Sequence, residues 1–182
     1  IGGDINASCV QAGGGMNNVD IRSSGSVDIA GNVLTSAKTT AGSTAGYVYI
    51  VGGGTSTRIA GYIDAHAGSG PISGTHSGVR LSSGGTIAIQ DKDASGWSIN
   101  TSASDTSLTG GSGGYVVLTA GAGSAVTLAG GINLHGAFDY GSVYIRGAYT
   151  GPPGDSFASV GAVTIGGDIN ASCVQAGGGM NN

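Results

Sequence analysis

Residues 115–134 read YVVLTAGAGSAVTLAGGINL. Three short apolar bursts lie in this stretch: Val116-Val117-Leu118, Val126-Thr127-Leu128, and Ile132 after Gly130-Gly131. Each burst is rich in β-branched residues and is bounded by Gly, Ala or Ser, the texture of short strands joined by turns. In a strand, the first and third residues of a burst face one way and the middle residue faces the other. No window of the chain offers the 3.6-residue apolar period of a helix. The stretch therefore reads as three strands and two corners.

The cadence recurs. A V-x-[IL] burst stands at Val19-Asp20-Ile21, Val48-Tyr49-Ile50, Val79-Arg80-Leu81, Val116-Val117-Leu118 and Val143-Tyr144-Ile145. A second burst follows each, at Val27-Asp28-Ile29, Thr57-Arg58-Ile59, Ile87-Ala88-Ile89, Val126-Thr127-Leu128 and Val163-Thr164-Ile165. An [AG]-G-x-[IV] phrase comes third, at Ala30-Gly31-Asn32-Val33, Ala60-Gly61-Tyr62-Ile63, Ala129-Gly130-Gly131-Ile132 and Gly166-Gly167-Asp168-Ile169. The third unit alone departs, because Gln90 to Gly96 intervene before Trp97-Ser98-Ile99. Units of three strands thus start near 19, 48, 79, 116 and 143.

A longer repeat overlies this one. Residues 1–18, IGGDINASCVQAGGGMNN, are identical to residues 165–182, at an offset of 164 residues. Five loose units make one strict period, so the 182 residues read as one β-solenoid segment of a tandem array. The expectation is that Val19-equivalent sequence follows Asn182, in the same chain or in a head-to-tail neighbour. A separate subunit beginning at Ile1 would duplicate the strand that residues 165–182 already supply.

Units of roughly 30 residues with three strands and essentially no α-helix predict an all-β fold, a parallel β-helix (β-solenoid). Each strand stacks on its counterpart in the next coil, about 4.8 Å away. The alternating Val and Ile fill a continuous interior, and Gly at the corners is expected to supply tight turns and positive φ. Length variation falls at 90–96, at 147–160 and before each unit start, which places protruding loops there.

Composition limits the function. Gly accounts for 39 residues, while Lys plus Arg number 6 against 10 acids, all Asp, for a formal net charge of −4. Such a surface does not suit nucleic acid, which calls for clustered Lys and Arg. No apolar run reaches transmembrane length.

The phrases GGYVVLTAGAGSAVTLAGGINLHGA (113–137) and VDIRSSGSVDIAG (19–31) resemble the β-helical repeats of filamentous haemagglutinin-type exoproteins, giant secreted bacterial proteins. The resemblance spans nearly the whole chain. It implies a right-handed parallel β-helix, export to the cell surface, and adhesion, aggregation or filament formation. It brings no catalytic residues.

Several residues are candidate sites. The D-x-D-x-S-G pattern of Asp91, Asp93 and Ser95, with the Trp97 carbonyl, offers oxygen ligands at the alternate positions that Ca²⁺ favours. Ser102 stands where the bidentate acid of such a loop is expected, and the alternative is a solvated polar turn. Asp28 and Arg58 fall at neighbouring outward positions and are expected to pair across coils. Asn100, Asn133 and Asn170, with Asp64 one coil earlier, occupy one equivalent position. Either they form an amide ladder along the stack, or Asn simply favours the strand-to-turn junction. Cys9 and Cys173 are one position repeated. Five coils, roughly 24 Å, separate them, beyond disulfide reach, so the expected role is a small buried hydrophobe, with an exposed thiol linking neighbouring filaments as the alternative. His66, His76 and His135 read as surface histidines. Tyr47, Tyr49, Tyr115 and Tyr144 face outward, where they would stack on sugars, meet a partner filament or pack on the sheet.

These readings converge on a structural block of an extracellular filament or stalk. Self-association runs head-to-tail or as a continuous array. The alternative is the shaft of a surface adhesin, with neighbouring filaments or cell-surface glycans as partners. A carbohydrate-active β-helix enzyme is a remote third, because its carboxylates must converge on one face, whereas those at 20, 28, 64, 139 and 168 scatter. An ice-binding face is discounted, because only Thr127 and Thr164 align outward.

Overall fold

Val19, Val48, Val79, Val116 and Val143 stack in register, and the fold follows from that column. The structure is a computed structural model that describes residues 1–8, 17–37, 45–67, 78–91, 94–103, 114–136, 141–150 and 156–172. The described residues form sixteen strands and no helix. In chain order they are β1 (Ile5–Asn6), β2 (Val19–Ser23), β3 (Val27–Ile29), β4 (Val33–Leu34), β5 (Val48–Gly52), β6 (Ser56–Ile59), β7 (Ile63–Asp64) and β8 (Gly78–Ser83). Then come β9 (Thr86–Ile89), β10 (Trp97–Asn100), β11 (Tyr115–Ala120), β12 (Val126–Leu128), β13 (Gly131–Asn133), β14 (Ser142–Gly147), β15 (Val163–Ile165) and β16 (Ile169–Asn170).

Three parallel sheets run the length of the stack. The first is β2-β5-β8-β11-β14, the second β3-β6-β9-β12-β15, and the third β1-β4-β7-β10-β13-β16. Every strand pairs with its counterpart one unit away, which makes the protein a parallel β-solenoid. The strand starts at 19, 48, 78, 115 and 142 match the repeat units to within one residue.

The interior consists of columns, one residue per coil. Ile21, Ile50, Leu81, Leu118 and Ile145 make one; Ile29, Ile59, Ile89, Leu128 and Ile165 another. Ile50, Leu81 and Leu118 are 0% exposed, as are Ile59 and Leu128. Each such side chain contributes about 1.5–3 kcal/mol on burial. Thr57 interrupts the column Val27–Thr57–Ile87–Val126, and its buried hydroxyl donates to the Ser82 carbonyl at 3.4 Å. At the outer edge of the stack, exposure rises to 43% at Val163 and 50% at Ile169, since no further coil covers them.

The corner glycines work differently from the sequence expectation. Among the described residues, only Gly96 and Gly123 of the glycines have positive φ. A corner glycine such as Gly121 or Gly166 is required for close stacking instead: a Cβ there would run into the carbonyl of Gly84 or of Ala129 on the adjacent coil. Coils approach backbone to backbone at these points, and only a hydrogen fits between them.

Past the third sheet the ladder continues for one more row, through Ala37 N–H to the His66 carbonyl, Ala67 to Ser102, Ala103 to His135 and Gly136 to Ser172. Thr35 and Gly46 then pinch the base of the first excursion, with Gly46 N–H donating to the Thr35 carbonyl and Thr35 Oγ1 to the Gly46 carbonyl. The connections of unequal length leave from this edge, at 38–44, 68–77, 104–113 and 137–140, outside the described residues. Residues 147–150 and 156–158 run antiparallel as the described part of a short arm. Ala158 N–H donates to the Ala148 carbonyl, Tyr149 bridges Phe157, and their rings meet edge to face at 5.7 Å. Arg146 lies over the Phe157 ring at 4.3 Å.

Candidate functional site

The outward residues of the third sheet form two rows. Asn6, Leu34, Asp64, Asn100, Asn133 and Asn170 stand on successive coils. Asn133 Nδ2 donates to Asn100 Oδ1 at 3.2 Å, and Asn100 Nδ2 to Asp64 Oδ1 at 3.1 Å, so the amide ladder exists between these coils. The junction reading holds at the same time. The Oδ1 of Asn6, Asn100, Asn133 and Asn170 each accepts the N–H two residues on, from Ser8, Ser102, His135 and Ser172, at 3.0–3.2 Å. One side chain turns its own strand and ties itself to the next coil.

The second row, two residues along, is Ser8, Ser36, His66, Ser102, His135 and Ser172. Ser8 and Ser36 hydroxyls meet at 3.2 Å, and His135 Nδ1 meets Ser172 Oγ at 2.8 Å. His66 Nδ1 meets Asp64 Oδ1 at 2.6 Å in a half-buried setting, so His66 is partnered rather than a free surface histidine. His76 lies outside the described residues. The Asp-x-His spacing was the available signal for this contact. In a strand, residues two apart share a face.

On the second sheet, Arg58 pairs with Asp28, Nη1 to Oδ1 at 2.8 Å, and extends to Gln90 Oε1 through Nη2 at 2.6 Å. One guanidinium thereby spans three coils. Both partners are open to water, at 40% and 68% exposure, so the pair contributes only about 0–1 kcal/mol.

The insertion after β9 closes on itself. Asp91 Oδ1 accepts Ser95 N–H at 3.1 Å and Ser95 Oγ–H at 2.7 Å, and Oδ2 accepts Gly96 N–H at 3.2 Å. Ser95 Oγ also lies 2.7 Å from the Trp97 carbonyl, a second possible acceptor for its hydroxyl, and accepts Trp97 N–H at 3.2 Å. Asp91 and Ala94 adopt positive φ of 47° and 50°. The proposed oxygen ligands are thus bonded to one another and to the loop backbone. Asp93 lies outside the described residues, as do Cys9 and Cys173. The insertion also leaves a bulge in β10: Trp97 pairs with Gly131 but Ile99 with Ile132, and the extra Ser98 turns in to accept Gly130 N–H at 2.8 Å.

The first sheet carries an open groove of about 280 Å³ lined by Asp20, Arg22, Tyr47, Val48, Tyr49, Arg80 and Tyr115. Asp20, Tyr49 and Arg80 are neighbours on three successive coils. Arg22 grips Asp20 with two bonds, Nε to Oδ1 at 3.0 Å and Nη2 to Oδ2 at 3.1 Å, and lies over the Tyr49 ring at 5.1 Å. The hydrogen bond to Asp20, then its charge, raise the Arg22 pKa further above its ordinary value, so it stays charged. The individual tyrosines were visible in the sequence. Their convergence with two arginines was not, because it depends on which coils adjoin.

Comparison with protein families, curated proteins and solved structures finds no match. No helix among the described residues is long and apolar enough to cross a membrane, and no group of three His, Cys, Asp or Glu side chains gathers among them.

Proposed function

We propose that this chain is a repeat block of an extracellular filament or stalk. One observation carries the reading. The identical segments 1–8 and 165–172 supply the same third-sheet strand, β1 and β16, at opposite ends of the stack. A further block would extend all three sheets in the register they already have. The acids described on the strands lie apart, Asp20 on the first sheet, Asp28 on the second and Asp64 on the third, which favours a structural over a catalytic role. Cell-surface location, and kinship with filamentous haemagglutinin-type exoproteins, fit the Gly-rich solenoid and its low charge. The test is to image a protein of two and of four blocks by electron microscopy. Rods that lengthen by roughly 24 Å per block support the reading, and blocks that behave as beads on a string overturn it. The surface-adhesin reading ranks second, and the groove on the first sheet favours it.

A further inference from the structure

We infer that the groove on the first sheet binds an acidic saccharide. The inference deepens the adhesin reading and is independent of whether the shaft forms a fibre. Its floor is a sheet face, not an edge. The strands β5 and β8 are paired on both sides, so their backbone groups are taken and no peptide strand can add there. Recognition must come from side chains that stand on the face, and these are aromatic and cationic. Tyr47 and Tyr115 flank Gly78 in one row, two coils apart, and are 40% and 41% exposed. The row is shaped by Gly78: a Cβ there would lie 2.6 Å from the Tyr115 ring, so the ring settles down across the glycine rather than standing away from the shaft. Exposed tyrosine faces offer the apolar platform on which the C–H face of a sugar ring stacks, and their hydroxyls remain free for its hydroxyl groups.

Charge selects the ligand. Arg22 is neutralised by Asp20 and held against Tyr49. Arg80, exposed on the next coil but one, has no ion pair or hydrogen bond with any described residue. The groove therefore presents one uncompensated guanidinium beside three tyrosines, although the chain as a whole is acidic at −4. A carboxylate or sulfate on a sugar is the complement of that pattern, through charge-assisted hydrogen bonds to a planar fork of donors. The groove is open to solvent and its lining residues span four coils, which suits an extended chain rather than an enclosed small molecule.

The test is calorimetric titration of the 182-residue chain with galacturonate oligomers, dextran sulfate and neutral malto-oligomers. Saturable binding of either polyanion is expected, and the two arms tell carboxylate from sulfate. Arg80→Gln should weaken it about tenfold while leaving any weak binding of the neutral oligomer unchanged. Tyr115→Ala should weaken both several-fold, and Gly78→Ala should do the same by lifting the ring without deleting it. All three positions lie on the outward face of the first sheet, and a thermal melt by circular dichroism checks that each variant folds. Wild-type-like titration of Arg80→Gln and Tyr115→Ala would overturn the proposal. So would no saturable heat from either polyanion, or a concentration-dependent self-association that Arg80→Gln abolishes in the absence of saccharide binding. Rod formation by multi-block proteins is unaffected by any of these outcomes.

Discussion

Thr127 is exposed between Val126 and Leu128, both fully buried, and this three-residue contrast is the solenoid at its smallest scale. Val126→Asp places a carboxylate in a dry column, at a cost of several kcal/mol unless it stays protonated. Thr127→Asp puts the same group in water and should cost about 1 kcal/mol or less. Denaturant melts should therefore show Val126→Asp abolishing cooperative unfolding of its block and Thr127→Asp nearly matching the wild type. The reverse order would place the strand one residue out of register. Asn100 offers a second residue-scale test, since it donates to Asp64 and accepts from Ser102 and Asn133. Asn100→Ala should cost about 1–3 kcal/mol. Asn100→Asp instead sets a carboxylate beside Asp64. Repulsion raises the folded-state pKa of that pair, so stability is lost as pH rises through the carboxylate range. The deficit of Asn100→Asp against wild type should be larger at pH 7 than at pH 4, as thermal melts at the two pH values will show.

At the scale of elements, the insertion between β9 and β10 is the most informative departure. Its carboxylate Asp91 sits at positive φ, a conformation Asp tolerates better than Ala does. Asp91→Ala removes three acceptor contacts and adds strain, and should cost about 1–3 kcal/mol; Asp91→Asn should fall between. Because the loop is closed by its own hydrogen bonds, the melting temperature of the wild type should not change with a chelator. A rise of several degrees on adding Ca²⁺, lost in Asp93→Ala, would instead make Asp91 and Asp93 ligands. Strands and their register were legible in the sequence because alternation is local: Val19-Asp20-Ile21 shows its own facing. Two element-scale features were not. The bulge at Ser98 was hidden, since an insertion of uncertain end can return the chain at Trp97 or at Ser98 with equal ease. The purpose of the corner glycines was hidden too, because the clash they avoid lies with a residue about thirty positions away, such as Gly84 against Gly53. The contact between Asp64 and Asn100 was legible despite its sequence separation, because the repeat sets both at one equivalent position on adjoining coils.

In the whole molecule, contacts run between adjacent coils, so stability should be nearly additive along the shaft. In a two-block protein, Val126→Asp in one block should leave the other folded, and hydrogen exchange should show protection lost only near the altered coil. If protection falls evenly across both blocks, the shaft unfolds as one unit, and the nearest-neighbour account fails.

The register of β1 and β16 has a genetic corollary. Since residues 1–18 and 165–182 match letter for letter, and β1 and β16 take equivalent places at the two ends of the third sheet, inserting residues 19–182 after Asn182 recreates the junction already present between Asn18 and Val19. Recombination between copies would then alter reach in fixed increments while leaving the lateral surface and every junction chemically the same. In an array of such blocks, length would be a heritable quantity counted in whole blocks, free to drift without a folding penalty.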